Sequence, residues 1–288
     1  MTDDQRLMTQ AERFARLTDT LSAEMAKELQ AVLVEMDRAL VRLVAQAKAG
    51  SRTATALAVR AGQLRSELRR LLTEAGYDEV VTRMTRKSLD RAVAELTANT
   101  RVGRAVRAFT TVDLTGLEAL RTLRLGELLN QGDEVAISLW RTLVRGLYGQ
   151  QPVSAIVEDL ANALDIEITE ARTLYDTSTA VFGREIEAMK ARADGAFAYM
   201  GPVDAVMRPF CAQHIGRVYT RPEIDALDNG QLPDPFRTGG GYNCRHVWMA
   251  VSRLSELNDL VGTDQRAPVV VEALRDVQPI KRQKARAA

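Results

Sequence analysis

Along the first 190 residues, apolar side chains recur at steps of three and four. Between Phe14 and Leu43 the apolar positions are Phe14, Leu17, Leu21, Met25, Leu29, Val32, Met36, Leu40 and Leu43. That spacing holds them on one stripe of a long helix, and Gly50 is a natural stop for it. A second stripe, Leu57, Ala61, Leu64, Leu68 and Leu71, ends at Gly76. A third runs through Val81, Met84, Leu89, Val93 and Leu96. Short connections predict that these three helices pack as antiparallel hairpins. Residues 100–131 read as less regular, with Gly103, Gly116 and Gly126. Periodicity resumes at Val135, Leu139, Leu143 and Leu147. Pro152 opens a further piece that Ser154 to Ala163 continue. Thr169, followed by Glu170, predicts the N-cap of a separate long helix.

The texture changes near Asp194. Residues 195–250 hold seven Gly and five Pro, and helical periodicity gives way to turn signals. One short helix is expected in "RPEIDALDNG", framed by Pro222 and Gly230. "GRVYT" and "RHVWMAV" alternate as short strands do, and Val269 to Val271 reads as another. The fold class expected is mainly α: a long-helix N-terminal body with a small loop-rich α+β C-terminal domain. The organisation read from these shifts is a helical arm over 1–130, a second helical part over 131–194, a small domain over 195–262 and a basic tail over 263–288.

Composition adds little until charge is considered. A chain of 288 residues with 46% hydrophobic residues can bury a sizeable core, and 5% aromatics leans it toward helix. The net charge of +1 supplies no global field for nucleic acid or membrane, so an electrostatic partner must be met by a local patch. One such patch is the tail, with Lys281, Arg282, Lys284 and Arg286. No apolar run reaches the ~20 residues of a membrane span. The start, "MTDDQRLMTQ", is polar and acidic and reads against a secretory signal. A reducing cytoplasm is therefore expected, where two cysteines are more often ligands, catalysts or core residues than a disulfide.

The chain's only two cysteines and two histidines fall within 36 residues, as Cys211-x2-His214 and Cys244-x-His246. Thiolate and neutral imidazole are the donors a tetrahedral zinc takes. Positions 244 and 246 would point to one side of an extended segment. A structural zinc held by Cys211, His214, Cys244 and His246 is thus one reading. The others are unligated packing, a Cys211–Cys244 disulfide, and a Cys/His nucleophile, which lacks a nameable third orienting residue. Gly239, Gly240 and Gly241 would let the backbone turn tightly before the second pair. They are followed by no Lys-Ser/Thr and helix, so they form no phosphate loop. Asp204 and Arg208 could pair with each other, or Arg245 could reach Asp204. Trp248 and Tyr242 are expected as core anchors of the small domain.

The run "DAVMRPFCAQHIGRVYTRPEIDALDNGQLPDPFRTGGGYNCRHVWMAV", preceded by "LWRTLVRGLYGQQPVSAIVEDLANAL" and "EARTLYDTSTAVFGREI", resembles the phage head morphogenesis family, the Mu F-like and SPP1-type minor head proteins. The family pattern is matched by Asp204, Arg208, Cys211, Gly216, Tyr219, Asn243, Cys244, Arg245 and His246. The resemblance spans about residues 130–250 and is most specific toward its end. It implies a virion component made in the host cytoplasm and present in few copies. Such a protein associates with the portal protein and major capsid protein, at the portal vertex or inside the head. It acts in head assembly, DNA packaging or ejection. The resemblance also suggests metal binding at the Cys/His positions.

Three functions follow as expectations. The first is a non-enzymatic minor head protein, with DNA touched through the basic tail and no membrane partner. The second is a zinc-dependent hydrolase or nuclease, for which Glu223 is the nearest general base and an open metal position is needed. The third is a DNA-binding module, which the near-zero net charge disfavours as a main role.

Overall fold

A computed structural model describes residues 1–50, 53–98, 111–191, 195–251 and 256–276. The chain is mainly α, with a small three-stranded sheet near its C-terminal end, in agreement with the sequence. Helices α1 (Asp3–Gly50), α2 (Ala54–Glu74), α3 (Tyr77–Ala98), α4 (Thr111–Tyr148) and α5 (Val153–Lys190) come first. Strand β1 (Ala196–Met200), α6 (Pro209–His214), β2 (Val218–Thr220), α7 (Arg221–Asp225) and α8 (Pro235–Thr238) follow. Strand β3 (Val247–Val251), a 3-10 turn (Glu256–Leu260) and α9 (Pro268–Asp276) complete the order.

The chain divides into two compact units, each discontinuous in sequence. One comprises residues 19–89 and 118–178; the other comprises 1–18, 90–117 and 179–288. The continuous helix α4 runs through residues 130 and 131, where the sequence reading set the end of the arm, and through the division at 117/118. Long helices cross the division, and composition shifts are blind to a cut made across a continuous helix.

The first unit is a helical bundle. The stripe read from α1 is its inner face: Met25, Leu29, Val32, Met36 and Leu40 are buried against Leu64 and Leu68 of α2 and Val81 and Met84 of α3. Leu139 and Leu143 of α4 and Leu160 and Leu164 of α5 join the same core. Each such side chain contributes about 1.5–3 kcal/mol when fully buried. Thr53 accepts from the Ala56 N–H as the N-cap of α2. Gly76, at φ +93°, makes the left-handed turn into α3 where the sequence placed a stop. Two expectations are corrected. The irregular reading of 100–131 fails from Thr111 onward, where Gly116 and Gly126 sit inside α4; residues 100–110 lie outside the described residues. Thr169 caps nothing: its hydroxyl bonds back to the Asp165 carbonyl within one continuous α5, because buried faces on both sides of it outweigh its preference for a terminus.

The second unit carries the sheet, ordered β2-β1-β3 with antiparallel pairings. Central β1, "AFAYM", is buried at all five positions. A short continuous apolar run has no alternation to betray a strand, so it escapes the sequence reading. Tyr199 pairs with Trp248 across β1 and β3. Val269 to Val271 lies in α9, not in a strand. The Asp4 carboxylate accepts the Val269 N–H at the start of that helix. The segment over "RPEIDALDNG" forms only the short α7, and Thr220 and Glu223 close a capping box at its start. Among the described residues, no helix is long and apolar enough to cross a membrane.

Candidate metal centre

Pro209 starts α6 at the first helical turn, where its missing N–H is no loss, and this aims Cys211 inward. The second pair arrives on the extended segment before β3. Alternation there turns Cys244 and His246 to one side and Arg245 to the other, as the sequence predicted. Cys211, Cys244 and His246 come together with their ligand atoms within 4.8 Å of one another, and these three could hold a metal ion. All are buried, at 2%, 4% and 3% exposure. Both cysteines are free thiols, with their sulfurs 3.7 Å apart, so the disulfide alternative is not realised here. The nucleophile alternative is disfavoured by the same burial, since a reactive thiol must meet its substrate.

His214 is not part of this group. Its Nδ1 is hydrogen-bonded to the Tyr219 hydroxyl at 2.6 Å, and its ring packs on Phe210. One turn of a short helix points Cys211 and His214 in different directions, which spacing alone does not reveal. Burial, then the nearby Arg217 and Arg266, push the His214 pKa down to about 4. Tyr199 of β1, not His214, lies beside the two sulfurs. Its fully buried hydroxyl lies 3.5 Å from the Cys211 sulfur and 3.3 Å from the Cys244 sulfur. The Tyr199 ring stacks on His246 at 5.3 Å and packs on Trp248 at 4.3 Å, which fixes its position. The Trp248 indole N–H donates to the Pro235 carbonyl, so Trp248 is the expected anchor. Tyr242 is not one, being 47% exposed.

Charge enters from α5. Arg184 is 1% exposed, and among the described residues its guanidinium bonds carbonyls, with no ion pair. Its guanidinium donates to the carbonyls of Cys244 at 2.8 Å, His246 at 2.7 and 3.0 Å, and Arg237 at 2.9 Å. The Cys244 thiol is held well below its usual range. Its hydrogen bond with Cys211 is the main cause, helped by Arg184 and His246 against the cost of burial. The same hydrogen bond, together with burial, pushes the Cys211 thiol up. The Gly240 N–H also points at the Cys244 sulfur, at 3.2 Å. The imidazole is less well served: His246 Nε2 is buried with no hydrogen-bond partner among the described residues, and Nδ1 stands 4.0 Å from the Cys244 sulfur. Nδ1, not the orphaned Nε2, is therefore the ring nitrogen that faces the Cys244 sulfur and the one a metal beside that sulfur would take.

The glycine triplet has a cause beyond turning. A Cβ on Gly240 would stand 2.5 Å from the Cys211 sulfur, and one on Gly239 would stand 2.7 Å from the Arg184 guanidinium. Gly239 also adopts φ +57°. The remaining motif residues buttress this loop. Asp204 pairs with Arg245 at 2.5 Å, not with Arg208. Arg208 donates to Gln231 and to the Gly240 carbonyl. Asn243 takes the left-handed conformation at φ 53°, which Asn tolerates better than most residues. Glu223 accepts from the Thr220 N–H and hydroxyl and so is engaged as a helix cap, not poised as a base. Lys281, Arg282, Lys284 and Arg286 lie outside the described residues.

The sequence reading missed Tyr199 and Arg184. Arg184, Glu187 and Lys190 are spaced by three in α5, a pattern that ordinarily marks a solvated face. Here all three are buried: Lys190 pairs with Glu187 at 2.5 Å, and Glu187 accepts the Ala250 N–H of β3. No family model, curated protein or solved structure matches this chain.

Proposed function

We propose that this chain is a minor head protein of a tailed phage or prophage, held at the portal vertex or in the head interior. In this reading it acts in head assembly, DNA packaging or ejection, with the portal and major capsid proteins as its partners. The observation that carries it is the convergence of the resembling motif. Asp204, Arg208, Cys211, Asn243, Cys244, Arg245 and His246 come from two stretches some thirty residues apart and build one buttressed loop. The metal is zinc in a structural role, pinning the loop segments to the sheet. Burial of the three candidate ligands supports a closed site, since a catalytic zinc keeps a position open for water or substrate. Small loop-rich units gain most from such a staple. The basic tail is the point of DNA contact.

The test is the chain's location. Purified particles of the producing phage should contain it in few copies, at a single vertex or released with the head contents, and portal protein should co-purify with it. Its absence from mature and immature heads, together with hydrolysis of a nucleic acid or peptide by the zinc-loaded chain, would replace this reading with the hydrolase one. Loss of salt-dependent DNA binding on deleting residues 281–288 checks the tail.

A further inference from the structure

We infer that the metal site has four protein donors and that the fourth is the phenolic oxygen of Tyr199, with Arg184 as its buried counter-charge. The inference rests on the zinc reading above and adds to it the donor that closes the site.

The distances carry it. Zinc–sulfur bonds of about 2.3 Å at the tetrahedral angle set two sulfurs about 3.8 Å apart. The Cys211 and Cys244 sulfurs are 3.7 Å apart. A zinc–oxygen bond of about 2.0 Å sets oxygen and sulfur about 3.5 Å apart in the same tetrahedron. The Tyr199 oxygen is 3.5 Å from one sulfur and 3.3 Å from the other. His246 Nδ1, at 4.0 Å from the Cys244 sulfur, stands slightly farther out than the other donors. Tyr199 thus occupies an edge of the donor set that His214, engaged by Tyr219, leaves vacant.

Charge balance points the same way. Two thiolates and one phenolate around a divalent ion leave a single net negative charge, since the imidazole binds neutral. Arg184, buried behind the Cys244 and His246 carbonyls, supplies one positive charge that no carboxylate among the described residues neutralises. A buried charge is stable when it is paired. On binding, the phenol O–H breaks, its proton goes to solvent, and the oxygen's electron pair forms the bond to the metal; nothing is oxidised or reduced.

The test uses the full chain, reduced and stripped of metal, titrated with zinc. Wild type should bind one zinc and develop the ultraviolet difference band of one tyrosinate. Tyr199→Phe, which keeps the ring and its stacking, should lose that band and release one proton fewer per zinc, as read by calorimetry in buffers of different ionisation heat. Its affinity should fall by more than the roughly 10–100-fold typical of a residue that only supports a ligand. Zinc binding by wild type without a tyrosinate band overturns the fourth donor and leaves the zinc reading standing. Failure of wild type to bind zinc at all overturns both. The wild-type band needs no variant to fold.

Discussion

Replacing Arg184 with Met asks how much one buried guanidinium contributes to the sheet-bearing unit. Met keeps most of the side-chain volume, so little packing is lost. What disappears is the set of donors to two buried carbonyls, those of Cys244 and His246, and to the part-buried carbonyl of Arg237. Each buried acceptor left without a partner costs about 1–3 kcal/mol. Relief of the guanidinium's own desolvation offsets part of that, so the expected loss is about 3 kcal/mol. With a urea slope of about 2 kcal/mol per molar, the midpoint should fall by about 1.5 M. The chain has two tryptophans, Trp140 and Trp248. A Trp140→Phe background makes Trp248, fully buried on β3, the fluorescent reporter of this unit. Arg184→Lys retains the charge but not the planar fork, and should recover less than half of the loss. A midpoint shift below about 0.3 M for Arg184→Met would show that the carbonyls find other partners, and the account of α5 as the support of the site would be wrong.

Burial, opposed by the Ser22 hydrogen bond and by Arg172, raises the Asp176 pKa to about 6. The folded state therefore binds more protons than the unfolded state between about pH 4 and 6, and this group's contribution declines as pH rises through that window. Asp176→Asn should flatten that slope and stabilise the chain at neutral pH by about 1–2 kcal/mol, read from urea midpoints across pH; an unchanged slope refutes it. Gly183→Ala should destabilise although helix propensity favours it by about 1 kcal/mol, because the new Cβ meets the buried Phe14 ring; a rise in melting temperature counts against this packing. Gly240→Ala should weaken zinc binding at least about tenfold, since its Cβ would stand 2.5 Å from the Cys211 sulfur; wild-type affinity in that variant would place the sulfurs elsewhere.

What the sequence determined by itself is whatever a local repeat or a local restriction can encode. The three-and-four spacing from Met25 to Leu40 names the inner face of α1 because helix geometry alone sets which side chains share a side. Gly76 marks a turn because its φ is one that few other residues adopt. The nearness of Cys211 to Cys244 and His246 was legible as scarcity: a chain with two Cys and two His keeps them together. Only the tertiary structure decided which groups surround the sulfurs. His214 turns away to Tyr219, and Tyr199 arrives on a central strand whose five apolar residues carry no periodic mark. Arg184 reads as solvated until β3 packs over it, because a charged side chain's burial depends on which carbonyls lie within reach. Those carbonyls belong to residues some sixty positions away, and no spacing within α5 can report them.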